Sequence, residues 1–201
     1  MVKAKIGRPR SEKSHEAILN ATRELLDETG GAGLTIEAIA RRAKVGKPTI
    51  YRWWPTMADI VLDAVLGQAD TAITVTPFTS LRETLGHFLR QSMQAINDGG
   101  GVHLRYLMAQ AQQDDAFRAR FRDNFVSKRR AALLSIFQEA VRHRAIPSGQ
   151  DAEILVDMVF GAMWYRLLVG HAPMDAHFAD ELTELIGGMT QAPPSVGMAR
   201  T

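Results

Sequence analysis

Apolar residues recur along this 201-residue chain at intervals of three and four, and there are no hairpin signals, so the pattern predicts an all-α protein of about nine helices. The first runs from about Glu12 to Thr29, with Ile18, Ala21, Leu25 and Leu26 inward, and stops at Gly30-Gly31. Thr35 is a good N-cap for a second, because its hydroxyl can accept one of the backbone N–H groups left unpaired at a helix start. Ile36, Ile39, Ala40 and Ala43 put one apolar face on that helix, while Glu37, Arg41 and Arg42 point away. Val45-Gly46 breaks the pattern, and Pro48 suits the first turn of a third helix, where a missing N–H costs nothing. Ile50 and Trp54 share the inner side of this third helix. A connection this short leaves only a helix-turn-helix.

The remaining apolar periods are longer. Thr56 is placed to cap a fourth helix, Met57 to about Thr71, with Ile60, Ala64 and Val65 packing back on the helix-turn-helix as a bridge. A fifth runs from about Leu81 to Asn97 and is ended by Gly99-Gly100-Gly101; a sixth covers Val102 to Gln112. Asp114 caps a long seventh reaching Arg144, on which Phe117, Phe121 and Phe125 form one aromatic stripe while Arg118, Arg120, Arg122, Lys128, Arg129 and Arg130 face elsewhere. An eighth spans about Asp151 to Val169, and Asp175 caps a ninth from about Ala176 to Gly187.

Only the third helix carries a distinctive outer surface. Lys47, Thr49, Tyr51, Arg52 and Trp53 offer two cations, two hydroxyls and an indole N–H, which suit phosphate oxygens and guanine edges, and Pro48 can touch a thymine methyl. Thr35, Lys44 and Gly46 complete the candidate DNA-binding set. A helix of about two turns fits the major groove by its N-terminal end. Short amphipathic helix pairs also occur in all-α proteins that bind no nucleic acid; the basic and aromatic loading of an exposed face favours DNA.

The order and spacing of these residues resemble the tetracycline-repressor (TetR) family of transcriptional regulators. The resemblance covers residues 11 to 66: Ile18-Leu19-Asn20-Ala21, Leu25-Leu26, Gly30, Leu34-Thr35-Ile36, Ile39-Ala40, Ala43 through Tyr51, Trp54-Pro55, and Asp59 through Val65. The chain departs from it at Met57, where a lysine often follows the recognition helix. The resemblance implies a helix-turn-helix DNA-binding domain at residues 11–56, its bridging helix reaching about 71. It also implies a helical ligand-binding and dimerisation domain at 57–190.

Within that second domain the implied ligand pocket draws on Met93, Tyr106, Met108, Phe121, Phe125, Met158, Met163 and Trp164, adaptable side chains that suit an ordinary core equally well. The implied dimer interface is a four-helix bundle of the last two helices and their symmetry mates. Val156, Val159, Phe160, Leu167, Leu168, Phe178, Leu182, Leu185 and Ile186 supply its apolar surface. The expected function is a dimeric repressor that binds a palindromic operator in double-stranded DNA and is released by a small hydrophobic effector. A ligand-independent DNA-binding protein and a helical enzyme are the alternatives.

Charge sharpens this reading. The net of +2 divides into eleven Lys or Arg against six Asp or Glu over residues 1–55, a net of +5, and thirteen against sixteen over 56–201, a net of −3. Positive charge at one end gains from counterion release on nucleic acid. Residues 1–10 form a basic flexible arm in which Gly7-Arg8-Pro9-Arg10 resembles an AT-hook, so that Arg8 and Arg10 either enter a narrow minor groove or merely solubilise the chain. Residues 191–201 read as a disordered tail.

No apolar run approaches 18 residues, the N-terminus lacks a signal-peptide core and there is no cysteine, so no membrane partner and a cytoplasmic location are expected. Neither a phosphate loop nor a Gly-x-Ser-x-Gly elbow occurs, and no cofactor or catalytic residue is assigned. His171, Asp175 and His177 straddle a proline loop and read as loop and cap, with no metal assigned.

Overall fold

The computed structural model describes residues 12–72, 75–147 and 149–190, excepting the side chains of 68–72. The basic arm with Arg8 and Arg10, and the tail at 191–201, lie outside the described residues. Regular structure among the described residues is entirely helical: α1 (Glu12–Thr29), α2 (Ile36–Arg42), α3 (Lys47–Tyr51), α4 (Met57–Ala72), α5 (Leu81–Ala95), α6 (Gly101–Gln113), α7 (Asp115–Phe121), α8 (Ser127–Arg142), α9 (Ala152–Val169) and α10 (Ala176–Thr190).

The chain forms two compact units. The first gathers residues 12–68 and, from further along the chain, 102–118. The predicted boundary near residue 56 therefore differs from the physical grouping: α4 as far as residue 68 belongs with the helix-turn-helix, and so does α6. Ile18, Leu26, Ile39, Ile50, Ile60 and Leu107 are fully buried here. Arg23 on α1 donates through Nε to the Ala64 carbonyl of α4 at 3.2 Å, tying the bridging helix to the first.

The glycine at the end of α1 has a packing role. Gly31 sits at φ 91, and a Cβ there would come within 3.2 Å of the Tyr106 ring on α6. His103, one turn earlier on α6, is buried, and its Nε2 lies 3.2 Å from Asp27 Oδ1 of α1 but outside hydrogen-bond geometry. Burial pulls its pKa below the usual imidazole value, against the opposing influence of Asp27.

The second unit holds residues 69–101 and 119–190. In it α10 packs along α5, and α8 packs against both α5 and α9. Leu85, Phe88, Leu89, Met93, Leu133, Phe137, Val156, Val159 and Ile186 form the centre of one continuous core. The break after α5 falls at the predicted glycines: Asp98 and Gly99 leave helical geometry, Gly99 takes φ 110, and a Cβ on Gly100 would lie 2.6 Å from the Ala95 carbonyl oxygen.

The predicted seventh helix forms, from Asp115 to Arg142, with one wide turn at Arg122–Val126 joining α7 to α8. Asp114 Oδ1 accepts the Phe117 N–H at 3.0 Å as expected of a cap. Phe121 and Phe125 stack across that turn with centroids 5.5 Å apart. α8 stops at Arg142 because Arg144 adopts the left-handed conformation, φ 59, and the Ala145 N–H turns back to the Ala140 carbonyl.

Candidate nucleic-acid interface

The hydroxyl of Thr35 accepts the Ala38 N–H at 3.0 Å and starts α2, whose Ala38, Ile39 and Ala40 are buried. At the other end Lys44, at φ 53, makes the left-handed residue of the turn. Gly46 is extended, φ −78, and serves as the N-cap of α3. Pro48 follows in the first turn, where it forfeits no bond.

α3 is five residues long, shorter than the expected two turns. Its end is set by Trp54, which precedes Pro55 and is thereby biased away from the helical conformation. Ile50 and Trp54 are buried beneath it, as their spacing implied. The Trp54 indole N–H donates to Asp63 Oδ2 at 2.6 Å, so the end of α3 is fastened to α4. Thr56 and Asp59 cap α4 reciprocally: the Asp59 N–H donates to Thr56 Oγ1 at 3.2 Å, and that hydroxyl donates to Asp59 Oδ2 at 2.7 Å.

The outward face is less uniform than the sequence suggested. Thr35, Lys44, Gly46, Lys47, Pro48, Tyr51 and Arg52 are exposed, and Thr49 is half-buried. Tyr51, at 56% relative exposure, is the most prominent large apolar group of the first unit. Thr35 has spent an acceptor on its cap but keeps its hydroxyl proton for a phosphate.

Lys47 pairs with Glu37 across the turn, and that contact holds the Glu37 carboxyl below its ordinary pKa. Any phosphate must therefore compete with Glu37 for this lysine. Trp53 is half-buried, with its ring 4.5 Å from that of His15 on α1, which also stacks on Trp54 at 4.8 Å. Arg42 is committed elsewhere, with a bidentate bond to Glu28 at 2.9 and 2.8 Å and a further one to Glu24 at 3.1 Å. The His15, Asp63 and Glu37 partnerships were missed because no local spacing announces a contact between helices.

The pocket candidates are dispersed. Tyr106 and Met108 lie on α6 in the first unit, while the other six belong to the second. Met93 and Met163 are buried in the second unit's core, with Trp164 packed against it; Phe121 and Phe125 are the stacked pair; Met158 is exposed. Arg129, expected to face away from the aromatic stripe, instead lies over the Phe88 ring, 5.0 Å from its centroid. Asp175 caps α10 through the Phe178 N–H at 2.9 Å, and no metal-binding group of three ligands occurs among the described residues.

Seven of the nine dimer candidates, Val156, Val159, Phe160, Leu167, Phe178, Leu182 and Ile186, are buried within the protomer's own core; Leu168 and Leu185 are exposed. Besides Leu168, α9 leaves Ile154, Met158, Tyr165 and Val169 uncovered. Ile154, Met158, Tyr165 and Leu168, with Gly161 between them, repeat at four, three, four and three residues, the spacing of a helix-packing seam. Leu185 and Met189 are exposed on α10.

The family model for bacterial regulatory proteins of the tetR family matches residues 18–64, and that for the tetracyclin repressor-like C-terminal domain matches residues 77–186. YdeS, an HTH-type transcriptional regulator of Bacillus subtilis (strain 168), is 29% identical over 189 residues, 94% of this chain and 96% of its own. Among solved structures, the TetR family transcription regulator SCO0332 superposes with a TM-score of 0.72 at 30% identity, covering 90% of this chain and 100% of that one. The regulator FadR from Bacillus subtilis, solved in complex with stearoyl-CoA, shares the fold at a TM-score of 0.67 and 17% identity, covering 86% of this chain and 97% of that one.

Proposed function

Because this chain belongs to the TetR family of bacterial transcriptional regulators, we propose that it is a repressor that grips a palindromic operator as a homodimer and lets go when a small hydrophobic effector binds its helical region at 57–190. The observation that carries the reading is the outer face of α3. Tyr51, Arg52 and Lys47 stand exposed on a helix fixed from below by Ile50 and Trp54, which is what rigid presentation to base edges and phosphates needs. Thr35, Lys44, Gly46, Pro48, Thr49 and Trp53 flank that face as further contacts.

A single five-residue helix touches too few base pairs to bind well alone. The seam of Ile154, Met158, Tyr165 and Leu168, with Leu185 and Met189, supports self-association, because one protomer leaves these side chains in water. A two-fold dimer would present two copies of α3 about 34 Å apart, one helical turn of DNA.

Two structural neighbours favour a hydrophobic effector: FadR is seen with stearoyl-CoA, and FrrA is described as flavonoid-responsive. An effector that prefers the form unable to span both half-sites lowers DNA affinity, and DNA lowers effector affinity by the same factor. The protein would act in the cytoplasm, without catalysing a reaction. Fluorescence anisotropy with the DNA upstream of its own gene tests the reading: saturable binding that weakens steeply with salt is expected, and its absence rejects it.

A further inference from the structure

Arg129 and Arg130 are neighbours in sequence with opposite fates. Arg130 is held by two carboxylates, Asp157 and Glu153. Arg129 has none: among the described residues its guanidinium donates only to the neutral Ser92 hydroxyl, at 3.1 Å, and lies over the Phe88 ring. It occupies an interior register, four residues after Phe125 and four before Leu133, both buried. Burial lowers its pKa to about 10, with no carboxylate acting in the other direction. Arg129 is half-buried, and a cation partly withdrawn from water without a counter-charge carries a desolvation cost. Gln91, on α5 three residues after Phe88 and next to Ser92, adds a second unmet group: its Oε1 is buried with no hydrogen-bond partner.

We propose that Arg129 is the anchor for an acid group on the effector, which is therefore a hydrophobic monocarboxylate whose apolar body lies among the aromatic and methionine side chains of the second unit. This rests on the effector-binding reading above and narrows its chemistry. One guanidinium matches one carboxylate in a bidentate pair, and since the Ser92 hydroxyl already gives its proton to the Phe88 carbonyl at 2.7 Å, the guanidinium itself supplies the charge-assisted donors. A phosphate dianion would need a second cation, and the adjacent Arg130 is already committed to Asp157 and Glu153. An acyl thioester offers no acid at that end of its chain.

The test uses the full-length protein and three probe pairs: decanoate, dodecanoate and 4-phenylbutyrate, each against its primary amide, followed by calorimetric titration at pH 8. At least one acid should bind about tenfold or more tightly than its amide, as expected for a charge-assisted hydrogen bond. Arg129→Met should erase that preference while its thermal midpoint stays level or rises, since an unpaired charge has been removed. Arg129→Lys, which keeps the charge but not the fork, should retain only part of the preference. Amides that bind as well as acids, a panel in which nothing binds, or a preference that survives Arg129→Met overturns the proposal, as does an Arg129→Met variant that loses stability and nothing else. DNA binding of the unliganded protein is measured in the same preparations: if it fails while the acid preference holds, the regulatory reading falls and the acid site stands.

Discussion

The helix-turn-helix and α9 divide inside from outside differently. In α2 and α3 each helix has one buried side, and polar or charged groups occupy the rest. α9 is apolar on both sides, with Val156 and Val159 facing the core and Ile154, Met158, Tyr165 and Leu168 facing out. Periodicity identifies an inner face only when the outer face is polar. That contrast explains why Ile50 and Trp54 were correctly placed inward while seven of the nine dimer candidates turned out to be core.

The contrast is broken most directly at Trp54. Trp54→Ala should cost about 3–5 kcal/mol by cavity formation and the loss of Asp63's partner, unfolding the first unit in thermal denaturation. Trp53→Ala, one residue earlier and half-buried, should cost markedly less; equal losses would mean that α3 has no defined inside. On α9 the opposite assignment is expected. Tyr165→Glu or Leu168→Glu should yield a monomer in sedimentation with its fold intact and DNA affinity reduced at least about tenfold. Val159→Ala should instead destabilise the protomer by about 1–3 kcal/mol without changing its association state.

Smaller effects sharpen the electrostatic side. His103 is neutral in the folded first unit because burial lowers its pKa, with Asp27 opposing and Arg23 assisting. Above about pH 6.5, the usual imidazole value, folded and unfolded chains are both unprotonated there and the group is neutral to stability. As pH falls below 6.5 the unfolded chain takes up a proton first, so the thermal midpoint should drop, and His103→Gln should flatten that drop. A slope unchanged by the substitution would show that His103 is not the group responsible.

The Lys47–Glu37 pair predicts a few-fold gain in DNA affinity for Glu37→Gln at low salt, because the lysine no longer divides its charge between partners. Lys44→Gly should relieve a left-handed non-glycine residue, raising stability by about 0.5–1 kcal/mol while weakening DNA binding.

Much of the first unit was legible because its signals are local. Thr35, Thr56 and Asp114 cap helices through bonds spanning three residues, and sequence spacing alone announces them. What was missed depends on helix meeting helix: Trp54 with Asp63, Trp53 with His15, Lys47 with Glu37. The left-handed residue of the turn is Lys44, which no sequence signal singles out, while Gly46 is extended. Arg129 was misassigned because a cation is expected outside. Its i, i+4 relation to Phe125 and Leu133 was the available clue.

The central claim is that the exposed face of α3 reads DNA. Its most direct test is an anisotropy titration of labelled DNA from upstream of the chain's own gene, comparing wild type with a Tyr51→Ala, Arg52→Ala double variant. The account predicts saturable, salt-steep binding by wild type and at least about tenfold weaker binding by the variant at an unchanged thermal midpoint. Equal binding by the two proteins, or no salt-sensitive binding by either, would contradict it.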